Sequence, residues 1–102
     1  MSSLPLSVGS NLWLMAGDQS LAGRGRIELL ERIEETGSIR QAALAMGMSY
    51  RAAWGAVELM TERSGVPLVI RSTGGRGGGG AKLSDTGKRL IQAFHQLEAQ
   101  HA

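Results

Sequence analysis

Cysteine is absent from this sequence, and proline and histidine are scarce. The 102 residues include no cysteine, two prolines and two histidines, so disulfides and thiolate metal sites are excluded. His95 and His101 lie six positions apart, a spacing that does not place two ligands on one face of a helix. No nucleophile and base can be paired either, so we expect no enzyme activity, no metal and no cofactor.

Long apolar runs are also missing. None reaches the roughly 18 residues that a membrane helix needs. Met1 to Ala16 lacks Lys and Arg, and its apolar residues are interrupted by Ser, Pro, Gly and Asn, which makes it a poor signal peptide. We therefore expect a cytoplasmic protein with a single domain, residues 1–102, which buries about two-thirds of the unfolded chain's surface.

The net charge of +2 is distributed unevenly along the chain. Through Gly37 there are three arginines and five acids, whereas Ser38 to Leu90 holds eight basic and three acidic residues. The middle of the chain therefore carries +5, and this is where a polyanion would bind.

The first third of the sequence predicts a strand hairpin and a helix. The apolar run Asn11 to Met15 is followed by the turn residues 17–19 and by Ser20 to Ala22, a pattern typical of two paired strands. From Arg24 the apolar residues recur at helical spacing, and Gly37 is expected to end this helix.

Two capped helices follow, separated by only three residues. Ser38 is placed to cap the second helix and Ser49 to cap a third, which runs from Tyr50 to about Arg63. Gly47 ends the second helix, and its freedom to adopt positive φ lets two short helices meet at a large angle. Residues of about 38–63 therefore predict a helix-turn-helix.

The last third predicts a β-hairpin wing, about 68–84, and a C-terminal helix, about 85–101. Leu68 to Ile70 is an apolar strand, and residues 81–83 are a possible return strand. Ser84 or Asp85 caps the helix. The whole order predicts an α+β, mainly α fold, a winged helix-turn-helix with a glycine-rich wing.

One face of the C-terminal helix carries an apolar stripe at near a/d spacing. We expect this stripe to pair two protomers and partly to complete the core of each. The stripe residues are Leu90, Ile91, Phe94 and Leu97.

The third helix has the pattern of a helix that reads DNA. Ala53, Val57 and Met60 mark its inward face, and its N-terminal end presents side chains to base edges. Arg51, at the second position, is expected to contact a base or a phosphate. Ser49 is primarily a cap whose position also allows a phosphate contact. Tyr50 either holds a phosphate or lies along the surface, and Trp54 either faces DNA or packs inside.

Six of the seven residues from Gly74 to Gly80 are glycine, and the exception is Arg76. Residues 75–80 match G-x-G-x-x-G literally, but a dinucleotide site needs a helix that starts within the glycines. Here the helix is not capped until Ser84 or Asp85, beyond the glycine segment. A P-loop needs Gly-Lys-Ser/Thr, whereas this chain continues Ala-Lys-Leu, so both nucleotide motifs fail on context.

As the tip of a wing, the glycine segment approaches a sugar-phosphate backbone closely and projects Arg76 alone, which suits the narrow minor groove. Arg71 and Lys82 are expected near phosphates on the flanking strands. Arg40 and Lys88, at helix N-termini, are further phosphate contacts. The alternative is a solvated loop, which is compatible with ordering on DNA.

The segments GSIRQAALAMGMSYRAAW and RSTGGRGGGGAKLSDTGKRLI closely resemble the DNA-binding domain of the ModE-type molybdate-responsive transcription regulators of bacteria, itself similar to the LysR-type winged helix. The resemblance covers about Arg24 to Leu97. It implies a homodimer on a two-fold-symmetric operator of double-stranded DNA, contacted by Ser49 to Trp54 and by the wing around Arg76. ModE proteins carry molybdate-binding domains after this region. No residue of this chain matches their oxyanion site, so we expect no bound oxyanion.

The principal hypothesis is thus a sequence-specific, dimeric transcription regulator with a possible link to molybdenum. The alternative is a winged helix that does not bind DNA and joins another regulator through its last helix, which the low net charge favours slightly. The expected DNA contacts are Arg40, Ser49, Tyr50, Arg51, Trp54, Arg71, Arg76, Lys82 and Lys88.

Overall fold

Four helices and four strands form the part of the chain that the computed structural model describes, residues 13–72 and 80–100. The expectations for Arg76 and His101 lie outside these residues. In chain order the elements are β1 (Trp13–Ala16), β2 (Gln19–Gly23), α1 (Arg24–Thr36), α2 (Ile39–Ala45), α3 (Tyr50–Ser64), β3 (Val69–Ser72), β4 (Gly80–Leu83) and α4 (Asp85–Gln100). The predicted order of elements is confirmed.

The N-terminal hairpin pairs β1 with β2 in antiparallel register, from Trp13 opposite Gly23 to Ala16 opposite Gln19. Its turn includes Gly17 at φ +66°, a left-handed conformation that favours glycine. Leu21 and Ala22 are buried, because β2 packs against both α1 and α3.

Serine caps and a glycine ending set the helix boundaries as the sequence predicts. Ser38 Oγ accepts a hydrogen bond from the Gln41 amide at 3.1 Å, and Ser49 Oγ accepts one from the Ala52 amide at 3.0 Å. Gly37, at φ +71°, ends α1. The side chains of Ser38 and Ser49 thus accept hydrogen bonds from amides that the first turn of a helix leaves unpaired.

The turn between α2 and α3 depends on Gly47, which adopts φ +66°. Beyond it, the Met48 amide donates to the Ala43 carbonyl at 3.0 Å. Ala43 and Ala53 are both buried, and their small side chains let the two helices pack closely. The predicted helix-turn-helix is confirmed.

The wing pairs β3 with β4, from Val69 opposite Leu83 to Ser72 opposite Gly80. Its first strand begins one residue later than predicted, and just before it the Leu68 carbonyl accepts a hydrogen bond from the Ser84 amide at 2.9 Å. The Ala81 amide donates to the Gly37 carbonyl at 2.8 Å, which anchors the base of the wing to the end of α1.

The core contains the inward faces of α1 and α3 together with Leu68 and Phe94. Phe94 is only 1% exposed, because α4 packs against α1 and β4 and buries this ring within the protomer. Of the two roles expected for the stripe, Phe94 therefore serves the core. Leu90 and Ile91 are partly buried against the same core.

Gly87 is a core contact that the sequence pattern does not reveal. It lies in the first turn of α4, where an added Cβ would stand 2.5 Å from the Leu68 carbonyl oxygen. Glycine is therefore required for the helix to approach the strand region this closely.

Among the described residues, no helix is long and apolar enough to cross a membrane.

Candidate nucleic-acid interface

The first turn of α3 is open to solvent and carries the residues expected to meet bases. Ser49 and Arg51 are exposed, and Ser49 caps the helix at its positive end. Ala53, Val57 and Met60 point into the core, as predicted. Arg51 has no hydrogen bond or ion pair within the described residues, so its guanidinium is available to a ligand.

Arg71 reaches from the wing strand β3 to the side of α3. Its guanidinium carbon lies 4.6 Å from the centre of the Trp54 ring, within the range of a cation–π contact. Its Nη2 donates a hydrogen bond to Tyr50 Oη at 3.4 Å. One side chain of the wing thus contacts two aromatic residues that are one turn apart on α3.

Arg40 makes a related contact from α2. Its guanidinium carbon lies 4.5 Å from the centre of the Tyr50 ring. Arg40, Tyr50, Arg71 and Trp54 therefore form one continuous row, which we call the cation–aromatic row. It joins α2, α3 and β3 on the outside of the molecule.

The row shows where the side chains of Tyr50 and Trp54 lie in the protein without DNA. Tyr50 and Trp54 are both half-buried: each packs partly against the core and has an arginine against its ring. Trp54 is thus neither a fully buried core residue nor a freely exposed one.

The two basic residues of the wing strands lie on opposite faces of the hairpin. Arg71 is opposite Ala81 and shares its face, whereas Lys82 is opposite Ile70, because side chains alternate along a strand. Ala81 is buried, and Lys82 and Ile70 are exposed. Arg71 therefore lies on the face of the wing that contacts α3, and Lys82 projects from the opposite face.

Lys88 is separate from the cation–aromatic row. It lines a groove of about 370 Å³ together with three acids of α1, Glu31, Glu34 and Glu35. These carboxylates reduce the positive potential around Lys88, so it is the least favourably placed of the expected phosphate contacts among the described residues.

A polar cluster that the sequence analysis missed joins α1 to α4 behind the interface. His95 Nε2 lies 2.7 Å from Glu31 Oε2, its Nδ1 lies 3.3 Å from Glu98 Oε1, and Glu98 also pairs with Arg24. The hydrogen bond with Glu31 raises the pKa of His95 above its ordinary value. The contacts of Glu31 and Arg24 with this end of α4 form only when α4 packs on α1, so no local motif could have shown them.

A second missed contact fixes the other end of α3. Arg63 Nη1 donates to the Ser20 carbonyl at 2.6 Å and to Ser20 Oγ at 3.2 Å. This partly buried guanidinium ties the C-terminal turn of α3 to β2. Helix α3 is thus held at one end by the N-terminal hairpin and at the other by its turn with α2.

Residues 25–88 match the family of bacterial regulatory helix-turn-helix proteins of the LysR type. The chain belongs to this LysR-type family. The fold agrees with that of a LysR family transcriptional regulator of known crystal structure, with a TM-score of 0.60 at 20% identity over 78% of this chain and 25% of the other.

Sequence identity to ModE proteins is much higher than to that structure. The chain is 50% identical over 72 residues to the DNA-binding transcriptional dual regulator ModE of Escherichia coli (strain K12), covering 71% of this chain and 28% of that protein. It is 46% identical over 76 residues to the molybdenum transport protein ModE of Azotobacter vinelandii, covering 74% and 28%. The ModE resemblance is confirmed, and the chain spans little more than a quarter of the length of these relatives.

Proposed function

We propose that this chain is a sequence-specific DNA-binding transcription regulator that acts as a homodimer. The observation that carries the proposal is the exposed first turn of α3, where Arg51 is accessible beside a helix N-terminus capped by Ser49. Such a turn presents side chains and amides to base edges and phosphates. Membership of a family of regulatory helix-turn-helix proteins supports the same conclusion.

In this proposal α3 enters a major groove and Arg51 reads a base or holds a phosphate beside it. The wing lies along the adjacent minor groove, with Arg76 as its inserted side chain. Basic side chains near α3 and on the wing contact the DNA backbone and set the register of the protein on the duplex. These phosphate contacts are Arg40, Arg71, Lys82 and, least favourably, Lys88.

The dimer is proposed to form through the part of the α4 stripe that remains at the surface. Leu90, Ile91 and Leu97 are each partly exposed, whereas Phe94 is not available. Two copies related by a two-fold axis would present two α3 helices to two half-sites, so the operator would share that symmetry.

A link to molybdenum is proposed from the relatives. One is named a molybdenum transport protein ModE, and another is named a DNA-binding transcriptional dual regulator ModE. The chain would act on DNA in the cytoplasm, as a regulator of transcription must in bacteria. No residue assigned here is proposed to bind an oxyanion, so the proposal covers DNA binding rather than the sensing of a ligand.

Alanine substitution of Arg51 and of Arg76, each measured separately, tests the proposal. Fluorescence anisotropy with a duplex that the wild type selects from a random pool is expected to show affinity reduced about fivefold or more for each variant, since a good base contact contributes about 1–3 kcal/mol. Arg89→Ala is the matched control, because Arg89 is exposed on α4 and has no proposed contact. Unchanged binding by both variants would favour the alternative of a protein-interaction module.

A further inference from the structure

Arg71 occupies the point where the wing meets the recognition helix. It lies on β3, yet its guanidinium contacts Trp54 at 4.6 Å and Tyr50 Oη at 3.4 Å, both on α3. Residues four apart on a helix lie on one face, so this single side chain spans a full turn of α3.

These contacts lie outside the hydrophobic core that holds the fold together. Arg40 and Arg71 are exposed, and Tyr50 and Trp54 are only half-buried. The base of the wing is already anchored by backbone hydrogen bonds from Ala81 and Ser84. The arginine contacts are therefore not needed to form the wing, but they fix how its first strand lies against α3.

The chemistry at this position suits arginine and not lysine. A planar guanidinium can lie over an indole and donate to a phenol at the same time, whereas an ammonium is a compact charge with no planar face. A lysine here would keep the positive charge and lose the geometry that joins Tyr50 to Trp54.

We propose that Arg71 is a positioning residue for sequence readout: by holding Tyr50 and Trp54 it sets the angle between wing and recognition helix before DNA binds. This role rests on the proposed DNA binding and adds to it a residue that acts through its neighbours. A preformed angle lowers the cost of ordering the interface on the correct sequence. Non-specific binding depends on the charge of the phosphates and gains little from a preformed angle between wing and helix.

Comparison of Arg71→Lys with Arg71→Ala separates charge from positioning. Affinity is measured by anisotropy for the duplex selected by the wild type and for a scrambled duplex, each across a salt series. Arg71→Ala is expected to weaken binding to both duplexes and to reduce the salt slope by about one. Arg71→Lys keeps the positive charge, so it is expected to lose less scrambled-duplex affinity and less salt slope than Arg71→Ala, but to reduce discrimination between the two duplexes about fivefold to tenfold.

A spectroscopic measurement in the free protein tests the contact itself. The chain has two tryptophans, so Trp13→Phe leaves Trp54 as the only one. In that background we expect both Arg71 variants to change the Trp54 emission, because each removes the planar guanidinium from the indole face. Arg89→Lys and Arg89→Ala are the matched controls and should leave the emission and the discrimination unchanged.

Two results would overturn the positioning role while DNA binding stands. One is full wild-type discrimination by Arg71→Lys, which would reduce Arg71 to a phosphate contact. The other is a Trp54 emission that neither Arg71 variant changes. If the wild type instead shows no preference for any duplex, the proposed function fails and the positioning role fails with it, so the two failures are distinguished by the wild-type measurement alone.

Discussion

His95 Nε2 lies 2.7 Å from Glu31 Oε2 and so joins α4 to α1 by a polar contact at the surface. Glu98 contacts the other ring nitrogen of His95, and Arg24 in turn pairs with Glu98. Among the described residues, this cluster contains the one histidine whose pKa is raised, and the hydrogen bond with Glu31 is the main cause.

The first prediction concerns the pKa of His95. In a His101→Gln variant, titration of the remaining imidazole by NMR should give a pKa above the ordinary value of 6.5, and Glu31→Gln should lower it. A group whose pKa is raised on folding adds stability below its unfolded pKa and loses this as pH rises through its folded pKa. The free energy of unfolding should therefore fall slightly from about pH 6 to pH 8, by less in Glu31→Gln. A pKa at or below 6.5 in the parent variant would contradict the contact.

The second prediction concerns close packing at Gly87. Gly87→Ala should lower the free energy of unfolding by about 1–3 kcal/mol, because the new Cβ would collide with the Leu68 carbonyl. Gly55→Ala is the matched control: Gly55 also lies in a helix, but an added Cβ has nothing within 4 Å. Alanine should stabilise that position by up to about 1 kcal/mol. Urea denaturation of both variants measures the difference, and equal effects of the same sign would contradict the packing.

The third prediction separates the two roles of Ser49. Ser49→Ala removes the cap on the Ala52 amide and should cost about 1 kcal/mol of stability. Ser49→Asp keeps a capping oxygen and should retain stability, yet its negative charge should weaken binding to DNA. Thermal unfolding and anisotropy, measured on the same two variants, check this. Undiminished DNA affinity in Ser49→Asp would remove this end of α3 from the interface.

The fourth prediction concerns the dimer. The double variant Leu90→Gln, Ile91→Gln should sediment as a monomer under conditions where the wild type is a dimer, because both side chains are partly exposed on α4. Phe94→Ala should instead cost about 3–5 kcal/mol of stability, since the ring is in the core of the protomer. A monomeric wild type at high micromolar concentration would exclude the proposed dimer.

Sequence was sufficient to predict features that depend on neighbours along the chain. The caps of Ser38 and Ser49 and the turn at Gly47 follow from local hydrogen bonding and backbone conformation, and the structure confirms them. The helical spacing of Ala53, Val57 and Met60 likewise predicted the inward face of α3, where the structure buries all three.

Features that depend on the packing of distant segments could not be predicted. The contacts of Arg71 with Trp54 and of His95 with Glu31 join elements far apart in sequence. The burial of Phe94 within the protomer depends on packing in the same way: an apolar stripe shows which face of a helix is covered, but not whether its own protomer or a partner covers it.

Selection from a random pool of duplexes, followed by sequencing, tests sequence-specific binding by a dimer most directly. Enrichment of an inverted repeat is predicted, with half-sites separated by about 10 base pairs or a multiple of that distance, because two α3 helices enter successive turns of the major groove. Recovery of the pool without any enriched sequence, at salt low enough to permit binding, would contradict sequence-specific DNA recognition by this chain.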